Sequence, residues 1–115
     1  IQAIGGVNQK IEGFFEVCRE KGLTGEQGVI IPSSNAQNLM LRREVIDAVK
    51  KKQFHAYRIS TVAEGIEVLT GVSAGQADDD GNFPQGTVFG AVQHKLKTFF
   101  ERAYRMKKEL DLKLQ

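Results

Sequence analysis

Lys10 follows a glycine pair in the run Ile4-Gly5-Gly6-Val7-Asn8-Gln9-Lys10, in the first turn of what the pattern reads as a helix. The positive end of a helix macrodipole disfavours an ammonium, so the position favours the neutral amine. A lysine amine of that kind can serve as the base of a Ser-Lys enzyme. A second group with chemical potential is Gly71-Val72-Ser73-Ala74-Gly75, which satisfies the G-x-S-x-G pattern of a nucleophile elbow, with Asp78 and His94 following in the order of a hydrolase triad. An elbow needs a strand before the serine and a helix after it. Here a helix pattern precedes Ser73 and an acidic stretch follows, so a triad is not expected. In Asp78-Asp79-Asp80-Gly81, three residues fit calcium-loop positions, but Gln76 and Thr87 stand where the first carboxylate and the bidentate glutamate belong. A solvated acidic turn is the better reading. His55 and His94 have no partner at zinc-ligand spacing, and no metal is expected.

The elements that must position Lys10 follow from hydrophobic spacing. Ile1 to Ile4 reads as the end of a strand, so the chain reads as a piece excised from a longer protein. Val7, Ile11, Phe14, Phe15 and Cys18 recur at helical spacing from Val7 to Lys21, and Gly22 stops that helix. Gly28-Val29-Ile30-Ile31-Pro32 reads as a buried strand closed by proline. Leu41 to Lys52 reads as a second helix, whose terminal Lys50-Lys51-Lys52 complements the dipole. Phe54 to Ile59 reads as a further strand, with Phe54, Ala56 and Arg58 on one face. Ser60 or Thr61 caps a third helix through Val62, Ile66 and Leu69, with Glu64 at capping-box spacing from Thr61. Alternating strands and helices imply an α/β fold, a small parallel layer flanked by helices.

Residues 76–87 read as an exposed acidic Gly/Asp loop with little to bury. Beyond it, Phe89, Val92, Leu96, Phe99, Ala103, Met106 and Leu110 step alternately by three and four, a heptad stripe in one amphipathic helix over residues 88–115. That stripe must bury on the body, on a neighbouring domain or on another subunit. The domain reading is therefore a body over 1–75, a loop over 76–87 and the terminal helix.

The 115 residues suit one small domain, and a 41% hydrophobic, 26% charged composition is that of a soluble protein. No apolar run reaches the ~18 residues of a membrane span, and the lone Cys18 suits a reducing compartment, so a cytoplasmic protein is expected. Cys18 lies on the apolar stripe and reads as a small core residue. Residues 1–87 hold nine Lys and Arg against eleven Asp and Glu, a net of −2; residues 88–115 hold seven against three, a net of +4. Cations spread around a helix are a solvated face, and nucleic-acid binding is not expected.

Taken together, Ile4-Gly5-Gly6-Val7-Asn8-Gln9-Lys10-Ile11 resembles the segment of Lon proteases that carries the lysine of their Ser-Lys dyad. Gly28-Val29-Ile30-Ile31-Pro32 resembles the strand that follows, and Thr61-Val62-Ala63-Glu64-Gly65-Ile66 with Leu69-Thr70-Gly71 the last helix of the peptidase domain. Glu12-Gly13-Phe14-Phe15, Leu23-Thr24-Gly25-Glu26-Gln27-Gly28 and Gly81-Asn82-Phe83-Pro84-Gln85-Gly86-Thr87-Val88 are similar to the bacterial Lon-related branch. The resemblance implies the C-terminal part of the peptidase domain of an ATP-dependent serine endopeptidase that degrades unfolded or tagged proteins. It implies Lys10 as the catalytic lysine, ATP only in a separate ATPase module, and a homo-oligomer, usually a hexameric ring. The family's serine lies upstream in a Pro-Ser-Ala-Gly-like context that Ser33, Ser34 and Ser60 lack, while Ser73 follows the lysine. The expectation is half a dyad, inactive alone. A competing expectation is a non-catalytic interaction module that assembles through the heptad helix.

Overall fold

The computed structural model describes residues 1–114, and the chain divides into two units, Ile1–Gly65 and Ile66–Gln115. The first contains α1 (Val7–Lys21), β1 (Gly28–Pro32), a 3-10 turn (Ser33–Asn38), α2 (Arg43–Lys50) and β2 (His55–Ile59). Helix α3 (Val62–Thr70) spans the boundary, and α4 (Val88–Lys113) belongs to the second unit. Helices with a two-stranded parallel sheet and a long terminal helix make the α/β class expected from the alternation.

β1 and β2 run parallel in the register Gly28↔His55 to Pro32↔Ile59. Gly28 is required there: a Cβ would lie 2.5 Å from the carbonyl oxygen of His55, closer than real Cβ atoms come. The crossover between the strands carries the 3-10 turn and α2. One face of α1 supplies Val7, Ile11, Phe15 and Cys18 to the core, β1 supplies Ile31, and α2 supplies Val45 and Ala48. Phe54, fully buried ahead of β2, joins them, with the Phe15 ring edge-on at 5.2 Å and the Phe14 ring tilted at 6.2 Å. Such aromatic pairs add about 0.5–1.5 kcal/mol each beyond the area they bury. The core is small, as a unit of this length allows.

Several expectations are corrected. Ile1 to Ile4 is not a strand; no backbone ladder forms there, and the side chain of Asn35 takes the place of one at Ile4. Leu41 precedes α2 and packs partly buried on the core, so the helix starts at Arg43. Phe54 lies outside β2, and Ala56 and Arg58 are exposed, because the two-stranded sheet covers only part of its own faces. Phe14 is 45% exposed, leaving the buried face of α1 narrower than its apolar composition. On α3 the buried residue is Gly65, which Ile59 approaches, whereas Val62 and Leu69 face outward.

Residues 71–87 contain no helix or strand, yet they are organised rather than merely solvated. Ala74 is buried, and the carbonyls of Ser73 and Ala74 accept hydrogen bonds from Val88 and Phe89 at 2.9 Å each. Thr87 caps α4, its Oγ1 accepting from the N–H of Gly90 at 3.0 Å, and Phe83 packs edge-on against Phe89. The amide of Gln93 reaches back to the loop, accepting from Phe83 N–H and donating to Gly81 O at 2.9 Å each. A polar, glycine-rich stretch thus folds by satisfying the unpaired donors at a helix start. No residue of α4 itself is buried.

Candidate active site around Lys10

α1 begins at Gly6, whose φ of 65° and ψ of 29° place it in the left-handed region that favours glycine. No side chain caps the helix, and Lys10 N–H makes the first intrahelical bond, to Gly6 O at 3.1 Å. Two asparagines tie this start down. Asn35, 2% exposed, accepts from Ile4 N–H at 2.9 Å and donates to Ile4 O at 3.0 Å. Asn8 donates to Asn38 O at 3.1 Å and accepts from Met40 N–H at 2.8 Å. The backbone beneath Lys10 is therefore fixed on both sides of the glycine turn, while its side chain is exposed. Among the described residues, no hydrogen bond or ion pair engages its ammonium.

The serines divide into two groups. Ser33 and Ser60 follow the carboxyl ends of β1 and β2, and the parallel register brings their hydroxyls to 2.9 Å from each other. The carboxyl ends of parallel strands are where α/β layers place functional groups. Ser60 N–H also donates to Glu64 at 2.9 Å, while Thr61 Oγ1 accepts from Glu64 N–H at 3.2 Å, so the hydroxyl arm of the expected capping box forms at Thr61 and the return arm goes to Ser60 instead. Neither hydroxyl is hydrogen-bonded to Lys10. Ser73 is exposed and contributes its carbonyl to the start of α4. The Asp78 carboxylate accepts from the amides of Asp80 and Asn82 at 2.9 Å each, a local turn, and it orients no histidine.

Charges farther along α1 bind it to α2. Arg19 pairs with Glu44 at 2.7 Å and with Glu16, and Arg42 pairs with Glu12. Donating to the Glu44 carboxylate, and then to that of Glu16, holds the Arg19 guanidinium above its ordinary value; Glu12 as acceptor does the same for Arg42. Both arginines are solvent-exposed, and the network orients the helices more than it stabilises them.

The anchoring asparagines were missed by reading the sequence. Their only signal is a polar Ser-Ser-Asn-Ala-Gln-Asn run directly after β1, of which only Ile31 is buried where the sequence reads as a buried strand; burial of one amide there had to be matched by backbone partners.

What the geometry defines is a small parallel α/β unit that offers an unpaired amine at a fixed helix start and two hydroxyls at its strand ends. Its likeness among known proteins runs the same way. The chain is 46% identical over 71 residues, 62% of its length, to a Haemophilus influenzae protein named "Putative Lon protease homolog". It is 43% identical over 68 residues, 59% of its length, to an Escherichia coli protein of the same name. It spans 12% of the length of either relative. No family model matches the chain.

Proposed function

We propose that this chain is the C-terminal part of a Lon-type peptidase domain and that Lys10 is the base of a Ser-Lys dyad. The likeness to two Lon-named relatives carries this reading. The fixed start of α1 adds physical support, because a base must be held within hydrogen-bond reach of the proton it takes.

In this scheme the serine comes from a segment outside these residues. Lys10 Nζ, in its neutral form, takes the proton from the serine hydroxyl as the oxygen attacks the scissile carbonyl. It returns that proton to the leaving amine, and then serves again as water attacks the acyl ester. The exposed, unpaired side chain leaves Nζ free for such a partner, and the asparagine ties hold its backbone. ATP belongs to a separate module that unfolds protein substrates, and the peptidase parts assemble as a ring. The 115-residue chain alone is inactive because it carries half of the dyad.

The test is made in the longer protein that contains this segment. Lys10→Ala abolishes ATP-dependent cleavage of an unfolded substrate such as casein while the protein still assembles and hydrolyses ATP. Cleavage at the unaltered rate would overturn the assignment.

A further inference from the structure

Beyond Phe89, which packs against Phe83, the stripe along α4 is open within its unit: Val92, Leu96 and Phe99 are 49%, 60% and 51% exposed, and Met106 and Leu110 are 65% and 58% exposed. Its sequence nevertheless specifies what can cover it. Written as heptads with Leu96, Ala103 and Leu110 at a, and Val92, Phe99 and Met106 at d, the helix becomes self-complementary when reversed. Laid antiparallel on a copy of itself, Phe99 meets the partner's Ala103, Leu96 meets the partner's Met106, and Val92 meets the partner's Leu110. Every layer then joins a and d positions, and the largest side chain faces the smallest, the alternation that fills a core without voids.

The flanking positions agree. In that register Lys95 lies against the partner's Glu109, twice by symmetry, and Phe100, 72% exposed, lies against the partner's Phe100 at the two-fold axis. The antiparallel form has one like-charge meeting, Arg102 with the partner's Arg102. A parallel pair has none of these advantages. It stacks Phe99 on Phe99 and Ala103 on Ala103, brings Arg102 against the partner's Lys107 twice, and leaves Lys95 and Glu109 facing Phe100 and Leu114.

We infer that α4 is an interaction surface for a second copy of this chain, forming a two-fold antiparallel helix pair centred near Phe99 to Ala103. At 26 residues the helix extends about 39 Å, long enough for the three heptads that a stable seam needs. The contact is isologous, so it pairs two chains and closes. It does not depend on Lys10 or on any peptidase role.

The test uses the 115-residue chain in sedimentation equilibrium. Twice the chain mass is expected. Lys95→Glu and Glu109→Lys each raise the dimer dissociation constant about tenfold, and the double substitution restores it, because the swapped charges meet again. A nitroxide on Asp111→Cys reports direction. In the antiparallel register Asp111 lies level with the partner's Ala91, so the labels are separated by about 30 Å, twenty residues at 1.5 Å each, whereas a parallel pair brings them side by side. A monomer overturns the inference and leaves the stripe to another part of the longer protein. A dimer indifferent to Lys95→Glu, a double swap that fails to restore it, or a short label distance overturns it as well.

Discussion

The side chain of Asn35 grips both backbone polar groups of Ile4, accepting from its N–H and donating to its carbonyl. A buried amide thereby pairs with a stretch of chain as a neighbouring strand would, and the segment leading into the Gly5-Gly6 turn is held without a ladder. Asn35→Ala leaves two Ile4 groups without partners and is expected to cost about 1–3 kcal/mol in urea denaturation. Asn35→Asp keeps the acceptor and loses the donor, so it falls between. Amide exchange from Ile4 to Lys10 should accelerate in both.

Gly28 has a different constraint. Its backbone conformation is open to other residues, but the His55 carbonyl occupies the place of a Cβ. Gly28→Ala must push β1 away from β2 and is expected to destabilise the unit by about 1–3 kcal/mol. Circular dichroism against temperature measures it, with Gly13→Ala, where nothing lies near, as the benign comparison.

Phe54 is the keystone of the aromatic cluster. Phe54→Ala opens a cavity against Phe14 and Phe15 and is expected to cost about 3–5 kcal/mol. A unit this small has little more stability than that, so the variant should be largely unfolded by near-ultraviolet dichroism and proteolysis.

Lys10→Ala removes an exposed, unpaired side chain. Stability of the 115-residue chain should change by no more than about 0.5 kcal/mol. A denaturation midpoint matching the unaltered chain, beside lost cleavage in the longer protein, separates chemistry from folding.

Local patterns were legible where one element's own residues decide its form. The 3.6-residue spacing and Gly22 gave α1, the apolar run ending at Pro32 gave β1, and the Thr61–Glu64 spacing gave the cap of α3. Expectations failed where a distant partner decides. Whether Ile1 to Ile4 pairs as a strand depends on what lies beside it, and Asn35 lies there instead. Whether Val62 and Leu69 are covered depends on layers beyond α3, and within these residues Gly65 is what packs. The position of Lys10 was readable; the asparagines that fix its backbone were not, because their importance comes from burial and not from type.

The four amide donors at the start of α4 are all consumed: Thr87 N–H by Pro84 O, Val88 by Ser73, Phe89 by Ala74 and Gly90 by the Thr87 hydroxyl. At the other end, the last turn near Lys113 has solvent-exposed neighbours only. The helix is therefore a zipper with one locked end. Opening of the helix is resisted at the loop, and the amides of Val88 to Ala91 should be strongly protected from exchange although no side chain of the helix is buried.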